Sequence, residues 1–312
     1  MSKKFVIIAD STCDIDEELQ KQYDIEILPG HYIGPDGVER FSYPNWDEIK
    51  REDFYAQLRK DPESFKTSPP SPEESRLMFR KFAEQGLDVL ALCLSGGLSG
   101  TYSFMEEGAK AVREEFPNVK VHVVDTLRFG PAAGLIAIHG ALLREEGKSF
   151  DEVVNWIEEN KNCFHQTGWM DDLKYLAKKG RINSAKAFFG SLIGIKPIGE
   201  FDYNGMTTVI GKGKGEPKTY PLLLEYMAEH IIDPEKQIIF VATSDEHKQA
   251  EVFRKMIEDR FHPKAVFVKD VHCGCGINIG PGLMAAYYYG KPISKGVVEE
   301  TAKFKEIQER AK

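Results

Sequence analysis

The residues with the clearest chemical potential form one short run, Ser95-Gly-Gly-Leu-Ser-Gly-Thr101. Glycines at 96, 97 and 100 let a backbone approach a ligand closely, and Ser95, Ser99 and Thr101 offer hydroxyl donors. An apolar run from Val89 to Leu94 precedes it, and Met105, Ala109, Val112 and Phe116 follow at helical spacing. The stretch is therefore a strand-to-helix turn whose helix adds unpaired N–H groups at its positive end, an arrangement that suits an anion. A glycine-rich turn with a Ser or Thr cap and no ligand has the same sequence, so both readings stand at this point.

Two more polar turns have the same setting. Phe5 to Ala9 reads as a short strand ending at Asp10-Ser11-Thr12, and Asp14-Ile-Asp-Glu-Glu18 opens a helix with an acidic first turn. Asp10 and Ser11 fall at the carboxyl end of a first parallel strand, where open sheets place ligands, although a capping role accounts for them equally. Val119 to Asp125 is a third strand of this kind, continued by Arg128-Phe-Gly-Pro-Ala and an apolar helix from Ala132 to Leu143. Right-handed crossovers put all three turns on one side. Between them, Lys66-Thr-Ser-Pro-Pro-Ser-Pro72 is held extended by its prolines. Thr67 and Ser68 then form a rigid donor pair, or the loop is a linker and cap. Asp10 and Asp125 beside an anion-binding turn also admit an enzyme acting on a small carboxylate or phosphate.

The pattern changes near residue 160. A helix from Asp171 to Lys179 ends at Gly180-Arg181-Ile182, and an apolar stretch runs from Ala185 to Ile195 through Phe188, Phe189, Leu192 and Ile193. Lys196 to Ile210 reads as a hairpin with a type I′ turn at Tyr203-Asn-Gly205. Strands 237–243 and 265–271 flank a helix at 247–260, and Cys275 to Gly282 is a glycine-rich turn opening an apolar helix, Leu283 to Tyr288. Its N-terminus is expected to face the turns of the first domain. The fold class expected is α/β with two domains. Residues 1–160 form a parallel α/β layer, residues 161–312 form an α+β domain with a partly antiparallel sheet, and the ligand lies between them.

Composition narrows the function classes. A chain of 312 residues exceeds the usual span of one core, and a net charge of −8 with bases interspersed among acids excludes a nucleic-acid binder. No apolar run nears 18 residues, and the five apolar residues before Asp10 are too few for a signal-peptide core, so a cytoplasmic protein is expected. Cysteines at 13, 93, 163, 273 and 275 read as free thiols, and Cys273-Gly-Cys275 beside His272 is a half-site without a second cluster, so no metal is expected. Gly205 to Lys212 misses the phosphate-loop spacing, and Gly97-Leu-Ser-Gly100 misses the hydrolase elbow. Lys212, Lys214 and Lys218 form a solvated basic face or a dock for an acidic partner.

Several stretches together resemble the bacterial DegV family of fatty-acid-binding proteins. They are Asp10-Ser-Thr12, Lys66 to Pro72, Ser95 to Tyr102, Val124-Asp-Thr126, Leu173 to Ile182, Gly194 to Ile198 and Gly280-Pro-Gly282. They run in the family's order over nearly the whole chain. The resemblance implies a long-chain fatty acid with its tail in an apolar tunnel, lined in part by the 185–195 segment, and its carboxylate at the mouth between the domains. Carried over by motif, Thr67 and Ser95 hydrogen-bond the carboxylate with Gly96 and Asn278 beside it, and Arg181 is the charge partner. Ser68, Asp10, Ser11 and Gly280 lie near the head group. A buried tail of about 14 to 18 carbons gains roughly 0.8 kcal/mol per methylene.

The resemblance further implies a carrier with no catalytic residue and no cofactor beyond the bound acid. A separate kinase subunit, related to dihydroxyacetone kinases, phosphorylates that acid to an acyl phosphate, with transient contact with a membrane surface. A regulatory module using the lipid as a signal is the weaker alternative. The chain departs from the family at Gly96, where a second serine is usual, at Asn278, where a histidine is common, and at Lys212 and Lys214, where arginines stand. Losing the histidine removes a titratable donor near the head group.

Overall fold

The structure, a computed structural model, describes residues 5–183 and 194–311. Phe188, Phe189, Leu192 and Ile193, expected to line a tail pocket, lie outside the described residues. The chain divides into two compact units, each discontinuous in sequence. One comprises Met1–Lys50, Asp61–Lys161 and His272–Ile277, and the other comprises Arg51–Lys60, Asn162–Val271 and Asn278–Lys312.

The elements run β1 (Phe5–Asp10), α1 (Glu17–Tyr23), β2 (Ile25–Leu28), β3 (Gly30–Ile33), β4 (Glu39–Ser42), α2 (Arg51–Lys60), β5 (Lys66–Ser68) and α3 (Pro72–Ala83). Then follow β6 (Asp88–Cys93), α4 (Thr101–Glu115), β7 (Val121–Asp125), α5 (Gly130–Glu145) and α6 (Phe150–Asn160). All of these except α2 fall in the first unit. Its main sheet is parallel in the order β2-β1-β6-β7. β1 is buried at all six positions because helices cover both faces, which explains an unbroken apolar run where an exposed strand would alternate. Val6, Ile8, Val89 and Ala91 pack with Phe79 of α3 and with Met105, Ala109 and Val112 of α4. On the other face lies α5, apolar nearly all round and accordingly buried through most of its length. Ser71 caps α3 and Ser149 caps α6 with reciprocal Glu74 and Glu152 contacts. A small antiparallel sheet, β4-β3-β5, completes this unit, so the stiff Thr67-Ser68 loop is an edge strand.

The remaining elements are β8 (Phe164–Met170), α7 (Leu173–Lys179), β9 (Ile182–Asn183), β10 (Ile195–Phe201), β11 (Thr207–Lys214) and α8 (Gly215–His230). After them come β12 (Ile238–Thr243), α9 (His247–Phe261), β13 (Ala265–Asp270), α10 (Cys273–Ile279), β14 (Leu283–Tyr289) and α11 (Val298–Arg310). The second unit's sheet has the order β13-β12-β14-β8-β10-β11-β9 and mixes parallel with antiparallel pairs, as expected from the sequence. Its core joins Trp169, Ile198, Val241, Met284 and Tyr288 of the strands to Leu223 and Tyr226 of α8, Phe253 of α9 and Phe304 of α11. Helix α2 belongs here although it comes early in the chain. Its buried Tyr55 hydroxyl donates to the Val271 carbonyl at 2.5 Å, and Arg59 pairs with Asp245.

Three expectations are corrected. Leu283 to Tyr288 is a central strand, antiparallel to both β12 and β8, because a short apolar run buried on both faces carries no period that distinguishes strand from helix. Of the stretch from Cys275 to Gly282, only Gly280-Pro-Gly282 turns, leading into β14, and Cys275 to Ile279 belongs to α10. Gly274 and Gly276 weaken it as a helix, yet Gly274 seats against Ser42 and the Cys275 thiol reaches the Thr12 carbonyl. The hairpin exists, but its turn is not type I′. Of the turn residues only Gly205 has a positive φ, at 76°, and the Asp202 carboxylate accepts from the Asn204 and Met206 amides.

One buried polar cluster in the second unit makes a pH prediction. Glu200 accepts from His165 Nδ1 at 2.9 Å, the Thr167 hydroxyl at 2.7 Å, and the Gln166 and Phe201 amides at 2.8 and 2.9 Å. Burial alone pushes this carboxyl up, but the neighbouring His165 and the Gln166 and Thr167 donors outweigh it and hold it at about 2. A carboxyl depressed on folding stabilises above its unfolded value near 4.5, and that stability is lost as pH falls through about 2. Acid unfolding of the wild type should therefore lose about 3 kcal/mol over this window, and Glu200→Gln should flatten that limb. Equal acid limbs in the two proteins, measured by denaturant titration at stepped pH, would contradict the depression.

Candidate functional site

The first unit's sheet has one topological switch. The chain leaves β1 for β2 on one side and later returns to place β6 on the other, so the carboxyl ends of β1 and β6 are adjacent where the winding reverses. In open parallel sheets this is where a crevice receives ligands. β1 ends at Asp10; β6 ends at Cys93 and runs through Leu94 into Ser95.

The turn from Leu94 to α4 is held amide by amide. Leu94 N donates to Asp10 Oδ2 at 2.6 Å, Ser95 N to the Arg128 carbonyl at 2.8 Å, and Gly96 N to Asp125 Oδ1 at 3.1 Å. Gly97 N donates to Ser95 Oγ at 3.1 Å, and Leu98 N and Ser99 N both donate to the Ser95 carbonyl at 3.0 and 3.2 Å. The amides from 94 to 99 are therefore engaged by protein acceptors, and the donor capacity the turn presents is that of its hydroxyls. Ser95 Oγ accepts from Gly97, which leaves its proton for another acceptor. Ser99 and Thr101 hydroxyls pair with each other at 2.9 Å, and Gly100, the residue before α4, makes no side-chain cap.

Asp10 also accepts from Thr12 N at 2.7 Å and from the Thr12 hydroxyl. Its burial raises the carboxyl above the usual range, and these donors together with Leu94 N offset part of that rise. Ser11 Oγ accepts from Gly30 N at 3.1 Å, where β3 begins, and β3 pairs with β5 so that Tyr32 faces Thr67 and His31 faces Ser68. Six sequence-predicted residues, Asp10, Ser11, Thr67, Ser68, Ser95 and Gly96, thus belong to one unit and are linked through hydrogen-bonded main chain. Ser95 is fully buried, Thr67 half-buried and Ser68 exposed. Arg181, Asn278 and Gly280 belong to the other unit. The half-buried Arg181 follows α7 and its guanidinium donates to the Lys179 carbonyl; Asn278 is half-buried in α10; Gly280, at φ 81°, seats against the Tyr175 ring.

Sequence reasoning missed several participants. Thr12 fixes Asp10, and Arg128, fully buried, supplies the carbonyl that holds Ser95 N while its own Nη1 donates to the Leu127 carbonyl at 2.6 Å. His272 donates through its main chain to Asp14 Oδ1 at 3.1 Å and places Nδ1 3.0 Å from the same atom, with the Trp46 ring 4.9 Å away. The available signal was repetition, since β1 and β7 both end in Asp followed by hydroxyl residues. Burial pushes the thiols of Cys273, to about 12, and of Cys275 upward, so both stay protonated. Among the described residues no group of three or more His, Cys, Asp or Glu side chains is placed to hold a metal, and no helix is long and apolar enough to cross a membrane.

Residues 4–291 match the family model described as an uncharacterised protein, DegV family. A DegV domain-containing protein of Clostridium perfringens is 32% identical over 92% of this chain and 98% of its own length. A solved structure from Thermotoga maritima, described as revealing fatty acid binding function, is 26% identical with a TM-score of 0.77, covering 93% of this chain and all of that one. The Streptococcus pneumoniae Fatty Acid Kinase (Fak) B3 protein, solved with linoleic acid, shares the fold at a TM-score of 0.77 and 19% identity, covering 92% of this chain and 100% of that one.

Asp10→Ala should strip the half-buried Leu94 amide of its acceptor and cost about 1.5 to 3 kcal/mol of stability in urea unfolding. A loss below about 1 kcal/mol would show that the switch point does not depend on this carboxylate.

Proposed function

The chain belongs to the DegV family, and on that premise we propose that it binds a long-chain fatty acid and presents the carboxylate to a separate kinase subunit. The observation that carries this reading is the buried Ser95 hydroxyl at the switch point, on a turn whose amides are already satisfied. Asp10 and Asp125 both bond to this turn. Hydroxyl donors in such company suit a singly ionised head group and disfavour a doubly charged phosphate, which both acids would repel. The relative described as fatty acid binding supports the ligand class, and the fold shared with the fatty acid kinase B3 protein agrees with a kinase partner.

In this reading Ser95 and Thr67 donate to the carboxylate, with Ser68, Asp10 and Ser11 supporting them. The assignment of Arg181, Asn278 and Gly280 to the head group rests on the family's motifs. The chain works as a carrier in the cytoplasm, and phosphoryl transfer belongs to the partner, a kinase related to dihydroxyacetone kinases. Asn278 supplies an amide that keeps its charge state at every working pH, where a histidine would titrate.

Denaturing mass spectrometry of the purified protein should release an acid of about 14 to 18 carbons, whose methylenes at roughly 0.8 kcal/mol each hold it through purification. No acyl chain, together with no uptake of added oleic acid, would overturn the reading. Ser95→Ala should weaken oleic acid binding by about 1 to 2 kcal/mol, the scale of one hydrogen bond to a charged group. Calorimetric titration of delipidated protein measures this, and equal affinities would remove Ser95 from the site.

A further inference from the structure

Asp125 ties together the two turns that hold Ser95. Its Oδ1 accepts from Gly96 N at 3.1 Å and from Leu127 N at 3.0 Å. Leu127 stands at φ 53°, a conformation that disfavours a leucine and needs such a restraint. The next residue, Arg128, contributes the carbonyl that receives Ser95 N. Asp125 thus holds Gly96 directly and the Arg128 segment through Leu127, a segment that the Thr126 hydroxyl also fixes by accepting from Arg128 N at 3.2 Å and donating to the Cys93 carbonyl at 2.7 Å. The main chain of Asp125 is anchored as well, because Lys161 Nζ donates to its carbonyl at 2.9 Å and pairs with Glu158 at 2.7 Å.

The second oxygen lies close against the neighbouring residue. A Cβ on Gly96 would sit 2.7 Å from Asp125 Oδ2, closer than real contacts allow. Gly96 has no positive φ that would require glycine, so the cost of a side chain there is displacement of the Asp125 carboxylate. We propose that Asp125 is a positioning residue that aims the Ser95 hydroxyl, and that a side chain at position 96 disturbs that aim by displacing the Asp125 carboxylate. The affinity arm of the test rests on the fatty-acid reading; the exchange arm does not.

The test uses delipidated full-length protein with oleic acid as the probe. Asp125→Ala and Gly96→Ala should each weaken binding by about tenfold, and Asp125→Asn by less than about threefold, since its amide oxygen accepts the same two bonds. Gly96→Ala should cost nothing further in the Asp125→Ala background, where the clash is gone, and Asp125→Ala should lose its effect once Ser95 is alanine. Additive losses in these pairs, or wild-type affinity in Asp125→Ala, would overturn the proposal. Should Asp125→Ala fail to fold, Gly96→Ala against Asp125→Asn and the Gly96→Ala, Ser95→Ala pair carry the same comparison. If the wild type takes up no oleic acid, the binding reading has failed, and hydrogen exchange decides the positioning. Gly96 and Leu127 amides exchanging about tenfold faster in Asp125→Ala than in Asp125→Asn support it, and equal rates overturn it.

Discussion

A backbone amide that leaves the end of a strand needs a new acceptor, and the turn after β6 meets that need with carboxylates borrowed from the strands on either side. Asp10 at the end of β1 takes Leu94, Asp125 at the end of β7 takes Gly96, and the Arg128 carbonyl takes Ser95 between them. The order of the parallel sheet makes this arrangement available, because β6 lies between β1 and β7 and their polar ends converge. Ser95 inherits its orientation from the set. Its hydroxyl is the chemical product of a sheet topology, and it would be lost by a slip in any of three strands.

Two buried carboxylates show how the same burial leads to opposite electrostatics. Asp10 is surrounded by neutral donors, and desolvation wins, so its carboxyl rises. Glu200 has His165 beside it with Gln166 and Thr167 donors, and the charge partner wins, so its carboxyl falls. The first arrangement rests on uncharged donors alone, the Thr12 hydroxyl and the Thr12 and Leu94 amides. The second knits β8, β10 and α8 through Thr167, Glu200 and Tyr226 and gives its unit a rigid polar centre.

By itself the sequence determined the α/β class, the three strand-turn-helix segments, and the family, because unbroken apolar strands, glycine-rich turns and capping serines are local signals. Asp10, Ser11, Ser95 and Gly96 were legible as a group for that reason. The nature of β14 was not, since Leu283 to Tyr289 is apolar throughout and burial on both faces erases the period. The helix at Cys273 was hidden as well, because contacts with Thr12 and Ser42, far away in sequence, outweigh two glycines. Only the tertiary structure decided that Asp125 holds Gly96 N, that the Arg128 carbonyl holds Ser95 N, and that a carboxylate from another strand lies against Gly96. These are contacts across about 30 residues of chain, set by which strands become neighbours, and no spacing along the sequence encodes them.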